Sequence, residues 1–249
     1  MISVILNVYK RPEMLEKQIN SVLKQTVTIK PENIHVWYNT PDDVEIEQFS
    51  PENKKIKTYK CNWNTKFWGR FTIIPILTTE YVAVFDDDIL PQPNWFKNCL
   101  DTINKPETCG ILGGSGILIN QNGDYFPHVK VGWNGVQSDK TIEVDLVGHA
   151  WFFKQEWGKY LWYEKFPTFD NGEDIMFSYL AQKYGNIKTF VPPHPATRKD
   201  IWCTEPTIAR SVGSDNNASW RKGNHLNLRS EICQYCKRNG WKTINGIHG

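Results

Sequence analysis

Tyr81-Val82-Ala83-Val84-Phe85-Asp86-Asp87-Asp88 is the stretch that decides how this chain folds. An apolar run with two valines and two aromatics predicts a buried strand. Three carboxylates follow it directly. In open α/β sheets, ligands bind outside the carboxyl ends of the strands, so this strand delivers its acids to the ligand-binding edge. Pro91 and Pro93 forbid further strand and force a turn.

Three adjacent acids repel one another, and a hard divalent cation relieves that repulsion. Mg²⁺ takes carboxylate oxygens and shares its shell with substrate phosphates. In an extended segment Asp86 and Asp88 point to one side and Asp87 to the other. Asp86 and Asp88 are therefore expected on the metal and nucleotide side. The competing reading is a solvated acidic turn, and the buried strand in front weighs against it.

Working outward, Ile2 to Val8 reads as a buried first strand and Glu13 to Gln25 as a helix. Pro12 near its first position and Glu13 in its first turn suit a helix start. Ile34 to Tyr38 and Ile56 to Tyr59 are further strands, and a helix is expected near Phe71 to Leu77. After the triplet, Asn94 to Ile103 is helical, with Trp95, Phe96, Cys99, Leu100 and Ile103 as its apolar stripe. Gly113-Gly114-Ser115-Gly116 has no Lys-Ser/Thr after it and is not a phosphate loop. It predicts strand where backbones approach closely. Val144 to Val147, Ala150 to Phe153 and Ile187 to Val191 are strands, and Ile175 to Tyr184 is a helix. Residues 197–225, rich in Ser, Asn, Arg and Lys, read as a long mobile loop. Leu226 to Arg238 reads as a terminal helix, and Gly240 to Gly249 as a tail. Strands alternating with helices indicate an α/β domain with a mainly parallel sheet.

The 249 residues suffice for one large domain. With 29 basic and 27 acidic residues, the charge is too balanced for a nucleic-acid footprint. The 11 Trp and 12 Phe exceed ordinary core needs and suit a site that stacks flat ligands. The N-terminus lacks the basic region of a signal peptide, and no stretch reaches the 18 apolar residues of a membrane span. A cytoplasmic location, with room for contact at a membrane surface, is the expectation. Cys233 and Cys236 form half of a zinc pattern with no second half, although His225 and His248 are within the same region. Packed thiols are the favoured reading.

Three further signals bear on chemistry. Asn171-Gly172-Glu173-Asp174 puts two carboxylates at a helix start, where free N–H groups favour negative charge. Such a side chain serves as general base when a substrate hydroxyl comes within reach; helix capping is the equal alternative. His194, stiffened by flanking prolines, is a candidate third metal ligand beside the Asp triplet. His149, near Trp151, is a candidate acceptor contact, and Trp151 and Glu173 are candidates for the same role. Arg11, Lys66, Arg70, Arg198, Lys199, Arg210, Arg221 and Lys222 are candidate diphosphate partners, Arg70 and Arg198 foremost.

The order of these features resembles the glycosyltransferases of the GT-A fold, family 2 in particular. The resemblance rests on Ile2 to Arg11, Val36-Trp37-Tyr38-Asn39-Thr40, Val84 to Asp88 and Asn171 to Asp174. It implies a single α/β domain over residues 1–249, with a Rossmann-like nucleotide half at 1–90. An acceptor and catalytic half follows at 91–195, then a loop and tail at 196–249. Val8, Tyr9 and Arg11 would line the nucleotide pocket, with Asn39 where the family usually carries Asp. Asp86 and Asp88 resemble the Asp-x-Asp pair, with Asp87 between them, and Asp174 resembles the catalytic base. His194 resembles a metal-binding histidine, and residues 197–225 a loop that closes over the donor.

The implied reaction moves one sugar from a nucleotide diphosphate sugar, expected to be a UDP-sugar, to a hydroxyl of a glycan or small molecule. Mn²⁺ or Mg²⁺ is the implied cofactor, inversion the implied outcome. Trp151, Trp157 and Trp202 are candidates to stack on sugars. Asp86-Asp87-Asp88-Ile89-Leu90 also resembles the retaining exostosin-like transferases, which leaves stereochemistry open. A sugar nucleotidyltransferase would carry a glycine-rich loop after the first strand, absent from Val8 to Pro12. A non-catalytic carbohydrate-binding protein would not need Asp86, Asp88 and Asp174. An aspartyl phosphatase would carry small hydroxyl residues near Asp86-x-Asp88, and Ile89-Leu90-Pro91 follow here instead.

Overall fold

The computed structural model describes residues 1–39, 53–214, 221 and 223–245. Thr40, the loop acids Asp42 and Asp43, Lys222, His248 and part of the 197–225 segment lie outside these.

Among the described residues, β1 (Ile2–Val8), β2 (Ile34–Asn39), β3 (Lys57–Cys61) and β4 (Tyr81–Phe85) lie in parallel in the order β3-β2-β1-β4. Every residue of β4 is buried, as a strand covered on both faces requires. α1 (Leu15–Leu23) follows β1, after a tight turn over Pro12–Met14. Where one helix is expected near Phe71 to Leu77, two short turns stand instead, Gly69–Phe71 and Ile74–Ile76. Pro75 lacks the N–H that a continuous helix would need there.

α2 (Trp95–Ile103) leads into the second half of the sheet. This half contains β5 (Ile111–Leu118), β6 (Val129–Gly132), β7 (Ile142–Val144), β8 (Leu146–Lys154) and β9 (Thr189–Val191). β8 runs antiparallel between β4 and β5 and joins the two halves. The sheet is therefore mixed, with a parallel first half continued by a mostly antiparallel second. The expected strands at 144–147 and 150–153 belong to one long β8. The strand expected through Gly113 to Gly116 is β5, but its glycines admit side chains and not a second backbone: a Cβ on Gly114 would fall 2.3 Å from Cys203 Sγ and one on Gly113 2.4 Å from Val147 Cβ.

α3 (Glu173–Gly185) packs against β8. α4 (Pro206–Val212) and α5 (His225–Arg238) complete the order. The expected tail is docked as far as it is described. Trp241 and Thr243 are buried, and Ile244 N donates to Asp145 Oδ1 at 2.7 Å. Trp95, Trp151, Phe85, Phe152 and Phe153 are among the largest fully buried side chains. Each such side chain stabilises the fold by about 1.5–3 kcal/mol. No helix among the described residues is long and apolar enough to cross a membrane.

Candidate active site

β4 ends at Phe85, and the acids that follow turn at once. Gln18 of α1 fixes that turn by donating to Asp86 O at 2.7 Å and to Ile89 O at 3.0 Å. Ile89 N closes the turn by donating to Asp86 O at 3.2 Å, and the three side chains diverge from it. Asp87 accepts from Arg11 Nη1 at 2.6 Å, whereas Asp86 and Asp88 face His149. Ligand atoms of Asp86, Asp88 and His149 all lie within 4.8 Å of one another, the one such group among the described residues.

His149 arrives there through an irregularity. The β5–β8 register shifts between Gly113 and Ser115, opposite Gly148 to Trp151, and such a bulge re-aims a side chain. His149 has φ of 68°, a left-handed conformation that a non-glycine residue holds only when its surroundings enforce it. Asp86 N donates to His149 O at 3.0 Å. That bond brings the imidazole beside the carboxylate, with Nδ1 3.4 Å from Asp86 Oδ2. The Nδ1 atom itself is buried without a hydrogen-bond partner, as is Asp88 Oδ1. Orphaned buried polar atoms are rare. Here two of them converge in a cluster of carboxylate and imidazole donors, a set suited to a divalent cation.

Behind the cluster lies a second layer of charge. Arg70 donates to Asp86 Oδ1 and, at 3.1 Å, to Glu173 Oε1. Its guanidinium rests 4.9 Å from the Trp151 ring centroid. Burial works against the charge of Asp86, but Arg70 and His149 outweigh it and hold that carboxyl below its usual range. Burial, reinforced by Asp86, pushes Asp88 up. Burial also pushes Asp87 up to about 7 despite Arg11. Glu173 is pushed up to about 8, by burial and then by Asp174.

Asp174 stands in the first turn of α3. The helix begins after Gly172, whose φ of 89° is left-handed and whose absent Cβ leaves room for Ile232 Cδ1, 2.5 Å from where it would be. Arg229 of α5 donates to Asp174 Oδ2 at 2.5 Å and to Asn171 Oδ1 at 2.8 Å. Asp174 Oδ2 would lie 3.7 Å from a Cβ on Gly148, the residue before His149. The first-turn acids of α3 and the Asp86–Asp88–His149 cluster therefore border the same space. α4 closes on it too: a Cβ on Gly213 would fall 2.6 Å from Asp88 Oδ2.

The other candidates lie elsewhere. His194 packs between Trp95 and Trp202, its Nδ1 2.7 Å from Pro192 O, and is not in the acidic cluster. Asn39 organises the loop after β3: its Oδ1 accepts from Thr65 N at 2.8 Å, and its Nδ2 donates to Lys66 O at 2.9 Å. Val8 is buried at the end of β1, and the Tyr9 hydroxyl accepts from Asn64 Nδ2 at 3.2 Å. Arg198 is ion-paired with Asp200 at 3.0 Å, beside α2. Trp151, Trp157 and Trp202 are buried in the core, so their rings meet protein and are not free to stack on a sugar. Cys233 and Cys236 are free buried thiols. Cys236 Sγ lies 3.6 Å from Met176 Sδ, which is packing and not a metal site.

Arg229 escaped the sequence reading. Its signal is spacing: 229, 232, 233 and 236 share one face of a helix, and Ile232, Cys233 and Cys236 are the buried residues there together with it.

A parallel first half, a mostly antiparallel continuation and acids at the seam between them make this an α/β domain of the GT-A type. Residues 3–162 match the model of glycosyl transferase family 2, more than half of the chain. The protein belongs to that family. Its fold is similar to that of the mannosyltransferase PcManGT from Pyrobaculum calidifontis, solved with GDP-Man and Mn²⁺. The TM-score is 0.58 at 16% identity, with 99% of this chain and 66% of that one covered. It is also similar to S. aureus TarS, with a TM-score of 0.51 at 17% identity over 86% of this chain and 40% of that one. At such identities the likeness is one of fold, and the chain spans just under two thirds of the first protein and two fifths of the second. No curated protein matches in sequence.

Proposed function

We propose that this protein transfers one sugar from a nucleoside diphosphate sugar to a hydroxyl of a glycan or small molecule, with inversion at the anomeric carbon. The observation that carries the reading is the meeting of Asp86, Asp88 and His149 with Glu173 and Asp174 around one space. Asp86, Asp88 and His149 would hold Mn²⁺ or Mg²⁺, which when bound neutralises the diphosphate leaving group. His149 takes the place that the sequence gives to His194.

Asp174 acts as general base. As the acceptor oxygen attacks the anomeric carbon, its proton passes to the Asp174 carboxylate. The bond from that carbon to the diphosphate oxygen breaks, and the nucleoside diphosphate leaves with the electron pair. Arg229 aims the carboxylate, and Arg70 ties Glu173 to Asp86 so that base and donor ends stay in register. Tyr9 and Arg11, at the end of β1, face the nucleotide.

The test is a panel of UDP- and GDP-sugars incubated with the protein and Mn²⁺, scored for released nucleoside diphosphate. GDP-Man is included because PcManGT was solved with it. Release from one donor, lost with chelator and in Asp88→Asn, supports the reading. Absence of both release and metal-dependent nucleotide binding overturns it.

A further inference from the structure

Composition predicts a surface that stacks on rings, yet Trp151, Trp157 and Trp202 are buried. Five aromatic side chains do stand exposed among the described residues: Trp63, Phe126, Tyr163, Phe169 and Tyr184. Tyr163 and Tyr184 pack edge-on at 5.2 Å, and the Tyr184 hydroxyl donates to Glu164 Oε1 at 2.7 Å. Their place along α3 puts Tyr184 about 15 Å from Asp174. Trp63 follows β3, and Phe126 leans on His128, its ring edge-on at 5.9 Å. Phe169 stands in the segment that leads into α3, just ahead of Glu173 and Asp174.

The segment that carries Phe169 is clamped from both sides. Trp68 Nε1 donates to Phe169 O at 3.0 Å, and Arg70 Nη2 donates to Glu173 Oε1 at 3.1 Å. One short stretch, Trp68 to Arg70, thus holds both ends of the run from Phe169 to Glu173. From the other side, Arg229 and His225 of α5 meet the Asn171 side chain at 2.8 and 3.1 Å. The ring is placed as firmly as its backbone: it meets Trp68 edge-on at 5.8 Å and Phe166 edge-on at 5.3 Å. Even so, Phe169 is 58% exposed. Scattered exposed apolar side chains are ordinary. In one whose main chain and ring are both fixed, the ordering that a ligand would otherwise have to impose is already done. The face of an aromatic ring carries partial negative charge and attracts the C–H groups that line one face of a pyranose.

We infer that Phe169 is the platform on which the acceptor stacks, its ring against a pyranose face, with one hydroxyl of that sugar turned toward Asp174. The inference rests on the reading of Asp174 as the base. It makes the acceptor a sugar ring, free or at the end of a glycan, in place of an open-chain alcohol.

Methyl pyranosides of glucose, galactose, mannose and N-acetylglucosamine are screened by saturation-transfer NMR against protein supplied with Mg²⁺ and either UDP or GDP. Glycerol and ribitol are the open-chain controls. Wild type is expected to bind at least one pyranoside, with saturation strongest on the C–H groups of one ring face, and neither control. Phe169→Leu keeps apolar packing on Trp68 but has no ring face, and should bind that sugar on the order of three- to tenfold more weakly. Phe169→Tyr should stay within about twofold of wild type. Circular dichroism verifies that each variant is folded. No pyranoside binding by wild type, a preference for glycerol or ribitol, or equal affinity in wild type and Phe169→Leu overturns the platform. Equal losses in Phe169→Leu and Phe169→Tyr trace the effect to packing on Trp68 and also overturn it. So does a loss of UDP or GDP affinity in Phe169→Leu with pyranoside binding unchanged, which assigns the ring to the donor. If neither UDP nor GDP binds but pyranoside binding still depends on the Phe169 ring, the transferase reading fails and the platform stands.

Discussion

Arg70 Nη2 lies 3.1 Å from Glu173 Oε1, while its Nη1 binds Asp86. One buried guanidinium thus joins the end of β4 to the start of α3. Removing one partner of a buried pair leaves the others uncompensated, at a cost of about 3–5 kcal/mol. Arg70→Met is therefore expected to lower the urea midpoint sharply. Arg70→Met with Glu173→Gln should recover part of the loss, because the neutral amide no longer needs the cation. Additive losses in the double variant would refute the link.

The cluster of Asp86, Asp88 and His149 predicts a metal effect that can be read without any donor. Mn²⁺ should raise the melting temperature of the wild type in the presence of a nucleoside diphosphate, since a ligand that binds only the folded state stabilises it. Asp88→Asn should abolish the shift. His149→Ala, which removes a ligand atom from the set, should weaken metal affinity by at least the about 10–100-fold that loss of an outer-shell partner costs, while His194→Ala should leave it within the range set by its general loss of stability. An equal metal shift in wild type and His149→Ala would exclude the imidazole.

Much of this site was legible because its signals are local. The run from Tyr81 to Phe85 is fully buried, as an unbroken apolar strand must be; Asp87 does part from Asp86 and Asp88 as expected, but a turn and not an extended strand separates them. The acids at the start of α3 follow from a glycine that admits a left-handed turn. What was not legible depends on distant contacts. That His149 and not His194 stands beside Asp86 and Asp88 depends on the register shift opposite Gly114, which no periodicity reveals. Arg229 reaches Asp174 across 55 positions of sequence. β6 and β7 are only 4 and 3 residues long, too short for alternation to register. The buried tryptophans show the limit of composition: Trp151 and Trp202 count toward an aromatic surplus but belong to the core.

His194 predicts an acid-sensitive fold. Burial holds its imidazole down to about 4, from 6.5 in the unfolded chain. As pH falls below 6.5 the unfolded chain takes up the proton first, so stability drops between pH 6.5 and 4 and is complete above that window. Over the whole interval the loss is about 3 kcal/mol. Urea unfolding at pH 7.5 and pH 5 would read it. His194→Asn, which keeps a donor for Pro192 O, should be less stable at pH 7.5 but lose less on acidification. Identical slopes in the two proteins would clear His194 of the effect.

The roles proposed for Asp174 and Arg229 separate chemistry from positioning. Asp174→Asn keeps the shape and a hydrogen-bonding group but cannot take a proton. Its kcat should fall on the order of 10²–10⁴-fold with donor affinity unchanged. Arg229 touches the carboxylate and not the reacting atoms, so its loss should act through the aim of Asp174. Arg229→Lys retains the charge but not the fork that spans Asp174 and Asn171; it should lower kcat less than Asp174→Asn and leave donor affinity intact. In an Asp174→Asn background the lysine substitution should then lower kcat little further, because there is no base left to aim. Independent, multiplying losses would mean that Arg229 serves the reaction by another route, and wild-type kcat in Asp174→Asn would move the base to Glu173, whose carboxyl burial already holds near 8.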